Sequence, residues 1–190
     1  SFSYVLYERA EEDWPSDILQ NLIKIACCHA DPEPDSSHLH FGKSNANLCC
    51  DDLLQNSANC ARGCAVDAIA ALLWEHTEYA DRFKVVLKHS VEDENPAVLF
   101  SVLHCAVAWY NIDKTFSKSL FDRLFARDLR VLGARQAWDL LCLFYNTESE
   151  FYAERLKTAM QSPIEDLKKY ATEMAATLVI MGQWSLEEFV

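Results

Sequence analysis

Turn-forming residues are scarce in this sequence, and that scarcity constrains the fold more than any other feature. The 190 residues include only 4 glycines and 5 prolines. A β-rich protein of this length needs many more such residues, because each strand must be followed by a tight connection. The scarcity therefore favours long helices joined by short connections.

Apolar residues recur with helical spacing along most of the chain. A first helix is predicted to begin at Ser16, and the proline-containing turn at 31–35 ends it. From residue 51 onward the pattern predicts near-continuous helix. The predicted helices are 59–75, one capped by Thr77, one opened by Asn95-Pro96, one capped by Asp113, then 134–145, 148–161 capped by Thr147, and 164–181 opened by Ser162-Pro163.

Small residues recur at comparable places in successive helix pairs, at intervals of roughly 30 to 40 residues. They are Ala65, Ala106, Ala137 and Ala171. The pattern predicts an all-α fold of antiparallel helix pairs stacked as a HEAT-like α-solenoid, with a closed helical bundle as the alternative. Residues 1–50 are predicted to form a helix and an irregular segment packed on the repeats or linking to them, and residues 51–190 the repeats.

The charge balance argues against nucleic-acid binding. The chain has 17 Lys and Arg residues against 29 Asp and Glu residues, a formal charge of −12. Binding to phosphates needs clustered positive charge, which this sequence does not provide. No apolar run approaches the length of about 18 residues that spans a membrane.

Cysteine usage and the two ends of the chain indicate the context. Eight cysteines are present, and several lie in apolar helical stretches, where free cysteine behaves as a small hydrophobe. We therefore expect reduced thiols in a cytoplasmic protein. The chain starts at Ser1 without methionine, and a helix is predicted to begin at Ser185, so we expect a fragment of a larger protein.

Several thiols and imidazoles fall close together in the N-terminal part of the sequence. They are Cys27, Cys28, His29, His38, His40, Cys49 and Cys50. Thiolate and imidazole are the ligands that zinc prefers, but adjacent cysteines replace the usual gap of two to four residues. We therefore predict no metal and no other cofactor, and retain Cys27, Cys28, His38, His40, Cys49 and Cys50 as the zinc alternative. The irregular segment at 31–50 is the region where recognition is expected, since connecting segments often carry function.

No other motif predicts chemistry. Cys60 and Cys64 share a helix face, but no histidine follows to complete a metal site. Gly42-Lys43-Ser44 resembles the end of a phosphate-binding loop, although the required earlier glycine is replaced by Ser37. The neighbours Cys28-His29, His104-Cys105, Glu11-Glu12 and Asp51-Asp52 diverge on a helix, so no catalytic residue is predicted.

Tryptophans stand towards the ends of predicted helices. They are Trp74, Trp109, Trp138 and Trp184. Most such residues belong to the core. Where several line one concave surface, they make good anchors for a protein ligand.

From Asn56 to the end, the sequence resembles the C-terminal helical repeats of bacterial signalling NTPases with NACHT-type or related motor domains. The resemblance is carried by Asn56-Ser57, by the string Arg62-Gly63-x-Ala65-x-x-Ala68-Ile69 within 61–74, by Asp93-Glu94-Asn95-Pro96-Ala97-Val98 and by Met160-Gln161-Ser162-Pro163. The chain departs from the family where Leu99-Phe100 replace the basic residues that often follow the Pro-x-Val opening.

Many members of that family defend bacteria against phage, with helical repeats that recognise a viral protein. The resemblance implies a ligand-recognition or sensor module, joined in its parent to NTPase and effector domains. It assigns a role to no individual residue. A constitutive protein–protein scaffold is the alternative, and a helical-repeat DNA glycosylase is disfavoured by the negative charge.

Overall fold

The computed structural model describes residues 2–36, 48–185 and 187, and every regular element in this part of the chain is helical. The α-helices are α1 (Phe2–Glu8), α2 (Ser16–Cys28), α3 (Cys50–Ser57), α4 (Ala61–Glu75), α5 (Ala80–Ser90), α6 (Pro96–Tyr110), α7 (Lys114–Arg127), α8 (Arg135–Phe144), α9 (Ser149–Met160) and α10 (Glu165–Ile180). The predicted all-α class is confirmed for these residues.

Helix starts that carry a strong local signal lie where the sequence predicts them. Helix α2 begins at Ser16. The Asn95 Oδ1 atom accepts a hydrogen bond of 3.0 Å from the Ala97 N–H at the start of α6. The Asp113 Oδ1 atom accepts one of 3.0 Å from the Phe116 N–H at the start of α7. These side chains satisfy N–H groups that have no partner within a first helical turn.

Two predicted threonine caps were wrong, and one helix of the structure was not predicted. Thr77 opens a 3₁₀ turn that precedes α5 and accepts no capping bond. The hydroxyl of Thr147 donates to the Phe144 carbonyl at 2.8 Å, because a 3₁₀ turn brings that carbonyl within reach. Helix α1 was not predicted, since its buried residues are only Ser3 and Leu6, too few to reveal a helical period.

Helices α4 and α6 form the centre of the molecule. Helix α4 packs against α1, α2 and α6, and α6 packs against α3, α7 and α8. Both helices are therefore apolar around most of their circumference, as burial on several sides requires. The four recurring alanines, Ala65, Ala106, Ala137 and Ala171, are all fully buried.

Glycine 63 allows the chain to turn tightly between α3 and α4. A Cβ atom at this position would lie 2.2 Å from the backbone oxygen of Ser57 and 2.8 Å from the Cys60 Sγ atom. No side chain fits in that space without moving the backbone. The Arg62-Gly63 string therefore has a packing role at the start of α4.

A polar network, which we call the brace, ties residues 29–36 to the starts of α4 and α6. The Asp31 carboxylate accepts from the Ala61 N–H at 2.6 Å. Arg62 donates to both carboxylate oxygens of Asp93, at 2.7 and 2.9 Å. The Asn95 amide donates to the Glu33 carbonyl at 2.7 Å. We define the brace by Asp31, Arg62, Asp93 and Asn95.

The brace shows how part of the irregular segment is used. Residues 31–36 contact the core of the fold through backbone and side-chain groups, whereas residues 37–47 lie outside the described residues. The same is true of 186 and 188–190, which include most of the helix predicted after Ser185. Within the part that the structure describes, no helix is both long enough and apolar enough to cross a membrane.

Candidate functional site

A cavity of about 650 Å³ opens between α1, α4, α6 and α8, and we call it the groove. These four helices are far apart in sequence, so the groove is a product of the tertiary fold. The lining residues are Tyr7, Ala10, Glu11, Asp67, Ala70, Ala71, Trp74, Glu75, His104, Val107, Arg135, Gln136 and Asp139.

Helix α4 provides the floor of the groove. Asp67, Ala70, Ala71 and Trp74 line it, and residues three, four and seven positions apart share one face of a helix. The two alanines leave room above the helix backbone because their side chains are short. Ala71 is half-buried and Ala70 is almost buried at the edge of this surface, whereas Ala65 and Ala68 on other faces of α4 are fully buried in the core.

Most of the charge in the groove is negative. Glu11, Glu75 and Asp139 are exposed, and none of them forms an ion pair with any described residue. Arg135 is the only lysine or arginine among the lining residues, all of which are described. The groove therefore offers three carboxylates that the described chain leaves without a cation.

The fourth carboxylate of the groove has a partner inside the molecule. Asp67 Oδ1 lies 2.8 Å from His104 Nδ1, and the two side chains are 14 % and 28 % exposed. This pair joins α4 to α6 on the floor of the groove. Asp67 is thus engaged in the fold, in contrast to the three exposed carboxylates.

Of the four tryptophans that stand towards the ends of predicted helices, two line surface cavities and two are buried. Trp74 is 53 % exposed in the groove, and Trp138 lines a neighbouring cavity of about 330 Å³ between α8 and α10. Arg135 lines both cavities. Trp109 and Trp184 are buried. The sequence-based interpretation places most of these residues in the core. In the structure two of the four are core residues, and the other two line cavities at the surface.

Most of the cysteines retained as the zinc alternative are half-buried or buried in the structure, and two of them lie in hydrogen-bonded contacts at the start of α3. The Cys49 Sγ atom accepts from the Asp52 N–H at the start of α3, and the Cys50 N–H donates to the Asp166 carboxylate. Burial raises the pKa of Cys27, Cys49 and Cys50, which disfavours the thiolate that zinc needs. Cys28 is exposed at the end of α2. His38 and His40 lie outside the described residues, so the zinc alternative stays a prediction.

A different set of possible ligands meets near the end of α4. His76 Nδ1 lies 3.2 Å from a Glu78 oxygen and 3.8 Å from an Asp13 oxygen, and the three ligand atoms lie within 4.8 Å of one another. A histidine that binds metal normally donates its other N–H to a partner. His76 Nε2 is buried without a hydrogen-bond partner among the described groups, so the arrangement fits an imidazole paired with carboxylates better than a metal centre.

The cysteines and the histidine that stand close in sequence around residues 60–64 and 104–105 have separate partners, which the divergence of adjacent residues on a helix predicts for 104–105. Cys105 is fully buried with its thiol donating to the Val66 carbonyl at 3.3 Å, whereas the ring of His104 faces Asp67. Cys64 donates to the Ala58 carbonyl at 3.0 Å. Burial raises the pKa of Cys60 to about 12. These thiols fill space and satisfy carbonyl groups in the packed interior.

The motif Gly42-Lys43-Ser44 lies outside the described residues. Sequence reasoning did not find the groove, because its lining comes from four separate helices. One signal was present: Asp67, Ala71 and Trp74 are spaced for one helix face and are less apolar together than the rest of α4. Because Ala70 beside Ala71 is also an alanine and is almost buried, residue type alone does not distinguish the groove position Ala71 from a core position.

No protein-family model matches the chain, and neither the curated proteins nor the solved structures contain a match.

Proposed function

We propose that this chain is a recognition module that binds a protein partner along the groove. The observation that supports this proposal is an open groove, shared by four helices, in which an exposed tryptophan lies among carboxylates without internal partners. Pockets of this kind, with an aromatic anchor and a few polar groups, are typical of recognition sites.

We propose further that the helices form a HEAT-like solenoid. In support, α1, α4, α6 and α8 contact one another in succession and all line the groove. A second row contains α2 and α5, which are in contact through Arg82 on α5 and Ser16 on α2, at 2.9 Å. In a solenoid, the stacking of successive helix pairs creates an extended concave surface that such proteins use for binding.

The parent protein that we propose is a cytoplasmic bacterial signalling NTPase, and this chain is its sensor, with a phage protein as one possible class of ligand. Support comes from the residues that carry the resemblance. Arg62 in one resembling stretch pairs with Asp93 in the next, so two of these stretches meet in the brace. All eight thiols are free, which is compatible with a reducing compartment.

The proposal implies that this chain is not an enzyme and that it binds neither nucleic acid nor a membrane. Three unpaired carboxylates in the groove repel phosphate groups, and the formal charge of −12 adds to that repulsion. Among the thiols described above, burial raises the pKa of Cys27, Cys49, Cys50 and Cys60, and Cys64 and Cys105 donate to backbone carbonyl groups. Binding of protein through the groove is therefore the activity that these residues support best.

The test compares captured proteins between the wild-type chain and a variant whose groove is filled. Tagged wild-type chain, the Ala71→Tyr variant and the Val85→Tyr control are incubated with bacterial lysates prepared with and without phage infection, and bound proteins are identified by mass spectrometry. Ala71 lies on the groove floor. Val85 is 72 % exposed on α5 and does not line the groove, so it accepts the same side chain elsewhere.

A phage protein captured after infection by wild type and by the control, but lost with Ala71→Tyr, is the expected result. A host protein captured in both lysates and lost with Ala71→Tyr supports the scaffold alternative instead. Capture that is equal for all three chains contradicts the groove as the binding site.

A further inference from the structure

We infer that the groove takes a basic segment of the protein partner, and that this segment presents arginine to Trp74. The inference rests on the proposed function, because it specifies the chemistry of the partner that the groove binds. It depends on three observations: the carboxylates of the groove, the surroundings of Trp74 and the position of Arg135.

The unpaired carboxylates approach the groove from three sides. Glu11 follows α1, Glu75 ends α4 and Asp139 lies on α8. Unpaired exposed carboxylates also occur elsewhere in the described chain, for example Asp81 and Glu150, so what distinguishes the groove is that three of them surround one cavity. Carboxylates held around one cavity without partner cations attract a cation strongly, because their fields add and the protein walls reduce screening by water.

Trp74 differs from the buried tryptophans in the contacts that its ring makes. The Lys84 ammonium lies 5.4 Å from the Trp109 ring, and the Lys157 ammonium lies 5.6 Å from the Trp184 ring. No cation and no other ring of the described residues contacts Trp74, which is 53 % exposed. Its ring face is therefore open to a cation from outside.

Arginine fits this surface better than lysine. A guanidinium is planar and weakly hydrated, so it stacks on an indole ring and donates to a neighbouring carboxylate at the same time. Glu75 follows Trp74 in the chain and lines the same groove. One arginine of the partner can thus stack on Trp74 and donate to Glu75, whereas a lysine ammonium pairs with Glu75 but makes less contact with the Trp74 ring.

Arg135 repels a basic ligand, so its removal should strengthen binding, whereas removal of the groove carboxylates should weaken it. It is exposed on α8, in the lining that the groove shares with the neighbouring cavity. A cation bound in the groove is repelled by this guanidinium, so removing it strengthens the binding of a basic segment. An acidic or neutral partner gives the reverse result or no effect.

The experiment measures the binding of a fluorescein-labelled peptide in which arginine and serine alternate, by fluorescence anisotropy with the whole chain. Peptides with lysine or glutamate in place of arginine are measured beside it. The groove variant Glu11→Gln/Glu75→Gln/Asp139→Asn is compared with the control Asp81→Asn/Glu150→Gln/Glu154→Gln, which removes the same charge from exposed positions outside the groove.

We expect the groove variant to bind the arginine peptide about tenfold more weakly than wild type, and the control to lose much less. Arg135→Ala is expected to bind it several-fold more tightly. Trp74→Leu is expected to abolish the preference for arginine over lysine while the charge-dependent binding remains. Circular dichroism of each variant checks that the helices are retained.

Equal weakening in the groove variant and the control overturns the inference, because it indicates attraction to the net charge alone. Wild-type chain that binds the glutamate peptide as well as the arginine peptide overturns it too, as does an absence of arginine-peptide binding. The proposed function fails separately: a partner lost with Ala71→Tyr but retained by the charge-neutral groove variant leaves the function in place and contradicts only the basic segment.

Discussion

The brace and the groove use the same kinds of side chain in opposite ways. In the brace, the carboxylates of Asp31 and Asp93 are bound by an N–H group and a guanidinium of the chain itself. In the groove, Glu11, Glu75 and Asp139 are exposed and have no ion-pair partner in the described chain. Both regions include α4, whose first residues belong to the brace and whose last residues line the groove.

The difference separates polar groups that stabilise the fold from those that we propose bind another molecule. A buried or half-buried polar group is costly unless it is hydrogen-bonded, so the brace residues are committed to each other. An exposed carboxylate is solvated and costs little, so the groove residues need no internal partner. Substitutions in the brace should therefore affect stability, whereas substitutions in the groove should affect binding.

The largest loss of stability is expected for Gly63→Ala at the brace end of α4. Its methyl group would overlap the Ser57 carbonyl oxygen, and relief of that overlap must separate α3 from α4, at a cost of about 3 kcal/mol. Denaturant unfolding followed by circular dichroism measures it. The reverse exchange at the groove end, Ala71→Gly, should cost only about 1 kcal/mol, and equal costs would remove the contrast between the two ends.

The next largest loss is expected for Arg62→Met. The Arg62 and Asp93 side chains are 13 % and 8 % exposed, and hydrogen bonding to Asp93 raises the pKa of Arg62. Removing the guanidinium leaves Asp93 without its cation, at a cost of about 2 to 3 kcal/mol. Arg135→Met in the groove serves as the matched control and should change the free energy of unfolding by less than about 0.5 kcal/mol.

Asn95→Ala should cost about 2 kcal/mol, because one side chain both caps α6 and holds residues 33–36. Asn111→Ala, at an exposed position after α6, is expected to have little effect. Hydrogen exchange read by mass spectrometry should show faster exchange at the start of α6 in Asn95→Ala. Unchanged exchange there would show that the brace does not depend on this amide.

Alkaline pH should reveal a smaller contribution from the buried thiol of Cys60. Burial raises its pKa from 9.0 to about 12 in the folded chain, so its contribution is complete below pH 9 and is lost as pH rises towards 12. The cost of Cys60→Ala should therefore shrink by roughly 1 kcal/mol between neutral pH and about pH 10. Denaturant unfolding under reducing conditions measures it, and a cost that grows with pH would contradict the sign.

The smallest effect on stability is expected for the groove variant Glu11→Gln/Glu75→Gln/Asp139→Asn. Its free energy of unfolding should stay within about 0.5 kcal/mol of wild type, with any change towards greater stability because repulsion is reduced. Thermal unfolding compares it with Asp81→Asn/Glu150→Gln/Glu154→Gln. A large loss limited to the groove variant would mean that these carboxylates stabilise the fold.

The sequence predicts local features well because their signals are local. Asn95-Pro96 and Asp113 mark helix starts through bonds to residues two or three positions away, and the shortage of glycine and proline indicates the all-α class. Short α1 gave no periodic signal. The predicted caps Thr77 and Thr147 were wrong because each threonine belongs to a 3₁₀ turn that precedes the α-helix.

The groove was beyond the reach of sequence patterns because it depends on which helices become neighbours. Trp74 and Trp109 both stand near the end of an apolar helix, yet one is exposed and the other is buried. Ala70 and Ala71 are the same residue type, yet Ala70 is almost buried and Ala71 is half-buried in the groove. Only the packing of α4 against α1 and α6 determines which face of α4 remains open.

Site-specific photo-crosslinking tests the central claim most directly. Benzoylphenylalanine is introduced at Tyr7, an exposed aromatic position of the groove lining, or at Val85 on α5, the chain is irradiated in lysate, and the crosslinked peptide is sequenced by mass spectrometry. We predict one protein crosslinked at position 7 and absent at position 85, through a peptide rich in arginine. Crosslinks at position 85 alone, or the same proteins at both positions, would contradict the groove as the recognition site.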